Sequence, residues 1–156
     1  MTMTEKYKIL GKYIKDMSSE TKDIETYLFV KERISKYQLG IDINSKALKN
    51  KLIEVNTTLK FEDKEENKKK SYFEIVYASI VKIDDEINDK KDLQKIVLCD
   101  VQNKIYSSLE KAFINLLKIN FLVIGKIIKN PKTSVTNPGI IKSKAAKAIA
   151  APEIIS

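Results

Sequence analysis

Ser71-Tyr-Phe-Glu-Ile-Val-Tyr-Ala-Ser-Ile-Val-Lys-Ile83 is the stretch on which the fold turns. β-Branched and aromatic residues dominate it and it holds neither glycine nor proline, so it reads as a strand. Strand geometry sends Phe73, Ile75, Tyr77, Val81 and Ile83 to one face and Tyr72, Glu74, Val76, Ala78, Ile80 and Lys82 to the other. Neither face is purely polar. The pattern predicts a central strand with a core on one side and a partly apolar, partly charged surface on the other.

Upstream, two further strands alternate strictly. In residues 37–44 the odd positions are apolar, and in residues 52–61 Ile53, Val55, Thr57, Leu59 and Phe61 share a face. Such alternation argues for an antiparallel sheet with one buried face. Residues 45–51 are short enough for a hairpin connection, and the charged residues 62–70 read as a solvated hairpin tip. A first strand over residues 7–15 puts Tyr7, Ile9 and Tyr13 on one side and Leu10 and Ile14 on the other, and residues 16–20 read as the turn that ends it. Residues 17–35 then form a long connection. Its apolar cluster Tyr27-Leu28-Phe29-Val30 is open to three readings: a helical turn, a short strand or a loop tucked on the body.

Downstream the period changes. Asp84-Asp85-Glu86 signals a turn and a helix start, and residues 91–98 are ambiguous between helix and extended chain. Asp100 is placed to cap the next helix. In that helix, predicted over residues 101–120, Ile105, Leu109, Ala112, Phe113, Leu116 and Leu117 recur at three- and four-residue spacing. The apolar run 121–124 closes a domain spanning residues 1–125. Residues 126–156 hold all three prolines and an Ala/Lys stretch, and read as a mobile tail.

Composition narrows the function. The chain has 156 residues, 43% of them hydrophobic and 32% charged, which suits one globular domain. No run reaches the roughly 18 apolar residues of a spanning helix, and residues 1–8 lack an apolar secretion core, so a cytoplasmic protein is expected. The single cysteine, Cys99, permits no internal disulfide and reads as a small buried hydrophobe. There is no histidine, no phosphate-cradling glycine loop and no Cys/His spacing for zinc, so neither an enzyme nor a cofactor is expected. The net charge of +8 is uneven: residues 126–156 carry six lysines against one glutamate, while residues 1–125 carry 23 basic and 20 acidic residues. A salt-sensitive affinity for polyanions through the tail follows from this, without sequence-specific nucleic-acid readout.

Strands first, then a long helix, with a crossover after strand one, is the order of the SecB export chaperones. Residues 10–20, Leu-Gly-Lys-Tyr-Ile-Lys-Asp-Met-Ser-Ser-Glu, resemble that family's first-strand signature: an aromatic, Lys-Asp, an apolar residue, Ser, a variable residue and Glu. Residues 72–81 resemble its last strand, and residues 93–106 sit where the family leads into its long helix. The likeness spans residues 7–121. It departs at Asp100-Val101, where the family usually has Cys-Pro, at Ser107-Ser108-Leu109-Glu110, where a second proline and an arginine are usual, and in lacking the C-terminal Asp-Pro-Ile-Asp-Phe segment.

The resemblance implies an α+β, SecB-like fold with a four-stranded antiparallel sheet, assembled as a tetramer (a dimer of dimers) in which Ile105, Leu109, Phe113 and Leu116 lie on the oligomer helix. It implies an ATP-independent holdase that keeps unfolded polypeptides in apolar grooves, here Tyr27, Leu28, Phe29 and Val30, and hands them to a SecA-type motor. The family's motor-docking positions map onto Asp16, Glu20, Tyr72 and Glu74. The competing expectations are a SecB-fold adaptor dedicated to one partner, such as an antitoxin, and a polyanion-binding protein.

Overall fold

The computed structural model describes residues 5–66 and 69–120. The central strand of the sequence reading is β4 (Tyr72–Ile83), flanked by β1 (Tyr7–Glu20) and β3 (Leu52–Glu62), with β2 (Gln38–Ala47) outermost. All pairings are antiparallel and the order is β1-β4-β3-β2. The first crossover therefore spans the whole sheet. It consists of α1 (Ile24–Arg33) and a 3₁₀ turn, Ile34–Lys36. A short helix α2 (Lys90–Lys95) passes through one π-helical turn, Ile96–Asp100, into α3 (Val101–Asn120).

The buried face of β4 is the predicted one: Phe73, Ile75, Tyr77, Val81 and Ile83 are all at most 7% exposed. On β3, Phe61, Leu59, Thr57 and Ile53 lie opposite Phe73, Ile75, Tyr77 and Val81, and Val55 lies opposite the buried Ser79. The apolar stripe of α3 covers this layer. Phe113 sits edge-on to Phe61 with centroids 5.7 Å apart, and Phe61 also packs on Tyr37 and Phe73. Tyr37 ties two strand starts together, because its hydroxyl accepts from the Ser71 amide (3.1 Å) and donates to the Ser71 carbonyl (3.4 Å). Burial raises the Tyr37 pKa, so this hydroxyl stays a donor.

Three expectations are corrected. Residues 16–20 are strand, not turn: β1 runs on to Glu20, paired with Tyr72. The register shifts between Ile9 and Gly11 and between Ile14 and Asp16, so Leu10 and Lys15 are bulged residues. Each bulge flips the alternation. Ile14 pairs with Tyr77 and Tyr13 with Ala78, so Tyr13 faces away from the core, opposite to the simple period-two expectation. Asp100 caps nothing, because the chain around it is already helical and Val101 keeps αR geometry (φ −62, ψ −45). The cap lies earlier, at Asp89, whose carboxylate accepts from the Lys91 amide. The ambiguous residues 91–98 are helical. The apolar run 121–124 and the tail fall outside the described residues.

The crossover is pinned at the sheet end where β1 finishes and β4 starts. Asp23 caps α1 by accepting from the Thr26 amide at 2.7 Å, which also lowers the Asp23 pKa. Thr26 and Val30 face inward, while Arg33 reaches the nearly buried Asp63 at 2.8 Å and Glu65 at 2.8 Å on the β3–β4 link. At the β2–β3 hairpin, Asn50 and Lys51 both take positive φ (61° and 56°), as the two central residues of the turn that the Leu52 amide closes on the Lys49 carbonyl at 3.3 Å.

A buried polar bridge joins sheet to helix. Thr57 donates to Gln102 Oε1 at 2.9 Å, and Gln102 Nε2 donates to the Val97 carbonyl in the π turn at 3.2 Å. Gln102→Leu is expected to cost about 1–3 kcal/mol, because it strands a buried hydroxyl and a carbonyl. Adding Thr57→Val should restore at least half of that loss in urea unfolding; a double variant as unstable as the single one would contradict this account.

Candidate docking surface

The outward face of β4 has β1 on one side and β3 on the other. Cross-strand pairing sets Glu20 opposite Tyr72, Ser18 opposite Glu74 and Asp16 opposite Val76. Directly opposed residues share a face, so Asp16, Glu20, Tyr72 and Glu74 all stand on the outer surface at one end of the sheet. Tyr72 is 38% exposed and donates its hydroxyl to the Glu74 carboxylate. That hydrogen bond, with help from burial and the nearby Asp16 and Glu62 charges, pushes the Tyr72 pKa up to about 12. The phenol is therefore neutral at physiological pH and offers an aromatic face rimmed by carboxylates.

The acids differ in how far they are compensated. Glu74 lies 3.5 Å from Lys60, its opposite number on β3, and Glu62 lies 2.7 Å from Lys64. Asp16 accepts from Ser18 at 2.5 Å. Among the described residues, neither Asp16 nor Glu20 enters an ion pair. The far end of the face is instead bridged by Lys15 and Glu54 at 2.5 Å, which lowers the Glu54 pKa and raises that of Lys15. Between the two ends, Tyr13 lies opposite the buried Ala78, and half-buried Val76 and Ile80 complete an apolar strip.

The four crossover residues separate. Val30 is fully buried and belongs to the core. Leu28 is 55% exposed and shares a helix face with Ile24, one turn earlier and also exposed. Tyr27 packs at the core margin, and Phe29 carries the Arg33 guanidinium 5.6 Å above its ring. On α3, Ile105, Leu109, Phe113 and Leu116 are at most 5% exposed and hold the helix to its own sheet. The half-exposed side of α3 is lined by residues such as Tyr106, Glu110 and Ile114. Alternation already puts apolar residues on both faces of β1; the bulges exchange Tyr13 and Ile14 between those faces, and Leu10, Tyr13, Ile14 and Met17 are all exposed.

A family model described as "Preprotein translocase subunit SecB" matches residues 2–118. The chain belongs to the SecB family. A SecB relative from Pelagibacter ubique (strain HTCC1062), described as a putative protein-export protein SecB, is 64% identical over 115 residues, covering 74% of this chain and 82% of the relative. Among solved structures, a Mycobacterium tuberculosis SecB-like chaperone in complex with an antitoxin peptide is similar at TM-score 0.49 and 11% identity, over 82% of this chain and 88% of that one. A Streptococcus agalactiae protein of unknown function is similar at TM-score 0.40 and 9% identity, over 72% and 88%. SecB is a family of protein-export chaperones, not of enzymes. No helix among the described residues is long and apolar enough to cross a membrane.

Proposed function

We propose that this SecB protein is an ATP-independent holdase, which binds unfolded polypeptides on apolar surface and delivers them to a SecA-type motor. The observation that carries the holdase reading is the distribution of exposed large apolar side chains. Leu10, Tyr13, Ile14 and Met17 lie on β1, and Ile24 and Leu28 lie on α1. Holding an unfolded chain needs such non-directional area rather than a reactive group. In this reading α1 offers the client surface, with Tyr27, Leu28 and Phe29 as its contacts. The open edge of β1 supports self-assembly towards a dimer of dimers, since an uncovered apolar edge strand invites pairing with another copy.

The outer face supports the second half of the reading. Carboxylates beside an exposed aromatic suit a basic segment of the motor, by charge complementarity and by contact of a cation with the ring face. Asp16, Glu20, Tyr72 and Glu74 are the proposed docking residues.

Purified protein at molar excess is expected to suppress aggregation of a chemically denatured client without ATP, and to have the mass of a tetramer in solution. Ile24→Asp with Leu28→Asp should cut that suppression severalfold while the mass stays unchanged. Absence of suppression by the unaltered protein would overturn the holdase reading, and a stable monomer would overturn the assembly. Full suppression by the double variant would remove α1 as the client surface.

A further inference from the structure

The outer face of the sheet is divided by charge along its strands. Directly opposed residues share a face, which puts Asp16, Glu20, Asp42, Glu62 and Glu74 on the outer side towards the end where β4 starts, against one lysine, Lys60. Towards the end where β4 finishes, the same side carries Lys8, Lys15, Lys46 and Lys82 against one acid, Glu54. Among the described residues the face is therefore a dipole, with the apolar strip of Tyr13, Val76 and Ile80 between its ends. Neither end is neutralised within the chain. Lys8 stands directly opposite Lys82, an arrangement of like charges that costs free energy, and neither enters an ion pair among the described residues. Glu5 and Asp84 lie just past the strand ends and line the hollow beside these lysines without pairing with them. At the other end Asp16, Glu20 and Asp42 likewise form no ion pair among the described residues.

Such a face is complementary to itself. Two copies laid outer face to outer face, about a two-fold axis that runs between the sheets and across the strands, bring β1 over β1 in the opposite direction. The acidic end of each copy then covers the basic end of the other, and the apolar strips meet in the middle. A two-fold axis along the strands would instead stack acid on acid. Twisted sheets pack face to face within about 30° of alignment, so the ends stay matched. Four strands about 4.8 Å apart, each about eleven residues long at about 3.3 Å per residue, give a face of roughly 700 Å². Two such faces bury about 1,400 Å² in all, inside the range of specific interfaces. Few of the side chains involved are apolar, so the contact depends on charge and is sensitive to salt.

We propose that the outer face of the sheet is a self-association surface, on which a second copy of this chain docks end for end, with Asp16 and Glu20 of each copy against Lys8 and Lys82 of the other. The contact stands on pairing register and charge placement, and uses neither the client reading nor the motor reading above.

Sedimentation velocity of the full chain at low salt should show the particle found at low protein concentration giving way to larger species as the concentration rises. In 0.5 M salt, where the screening length falls to a few ångströms, the association constant should drop about tenfold or more. Lys8→Glu with Lys82→Glu makes both ends of the face acidic, and Asp16→Lys with Glu20→Lys and Asp42→Lys makes both ends basic. All five positions are exposed, so the packing of the chain is spared. Each variant alone, with the circular dichroism of the unaltered protein, should keep its low-concentration mass. An equimolar mixture of the two should recover the larger species, because an acidic face then meets a basic one at both ends. In the unaltered protein, rising concentration should broaden the amide signals of β1 and β4 before those of α3. Larger species that are absent from the unaltered protein at low salt, or present and indifferent to salt, would overturn the proposal. So would a mixture of folded variants that fails to associate, or broadening that begins in α3. Variants that each associate as the unaltered protein does would also overturn it, since they assign the contact to another surface such as the edge of β1.

Discussion

Phe113→Ala is expected to lower the stability of this protein by about 3–5 kcal/mol, the usual cost of emptying a phenylalanine site in a packed core. Phe113 has no exposed surface and stands edge-on to Phe61, which in turn contacts Tyr37 and Phe73. The cavity would open where α3 meets the two inner strands, and the three remaining rings, Phe61, Tyr37 and Phe73, cannot close over it without leaving their rotamers. Against a typical total of about 5–15 kcal/mol, this loss is a large share of the margin. Urea unfolding of both proteins at one fixed protein concentration measures it, since assembly adds its own stabilisation. A loss under about 1 kcal/mol would mean that Phe113 is not a keystone of the helix–sheet contact.

Glu74→Lys should abolish docking of a SecA-type motor while the solution mass and the unfolding midpoint hold nearly steady. The substitution removes the acceptor of the Tyr72 hydroxyl and sets a cation beside Lys60, across from Ser18. Losing one partner of a desolvated charge pair in an interface costs about 2–5 kcal/mol, or roughly 30-fold or more in affinity. The ion pair with Lys60 is half-exposed on the Lys60 side, so its loss costs the free protein little. Titration calorimetry against the motor separates the two effects. Unchanged motor affinity would remove Glu74, and with it the outer face, from the docking assignment.

Much of the architecture was legible in the residues. The periods of β3, β4 and α3 are regular, and each has one face apolar enough to dictate burial, so Phe73, Ile75, Leu59 and Phe113 sit where their spacing puts them. The crossover helix was not legible in the same way. α1 buries Thr26 and Val30 yet exposes Ile24 and Leu28, which leaves no single apolar stripe to detect. What makes it a helix is local, the Asp23 cap, together with Arg33 docking on Asp63, a partner 30 residues away.

The candidate site divides along the same line. Tyr72 and Glu74 share a face because they are two residues apart on one strand, and no tertiary contact is needed to see it. Their company is another matter. Asp16 and Glu20 join them because β1 continues to Glu20 and pairs with the start of β4; the slips at Leu10 and Lys15 cancel in facing beyond Lys15 but set which β4 residues the two acids oppose, and a bulge leaves no mark in hydrophobic periodicity. The sequence by itself determined the strand order of burial, the long amphipathic helix and the kinship with SecB, all properties carried by neighbouring residues and their spacing. Only the tertiary structure decided which acids gather at one end of the sheet and which apolar residues of β1 and α1 stay exposed. Those depend on pairing register and on contacts between residues far apart in the chain, which local period does not encode.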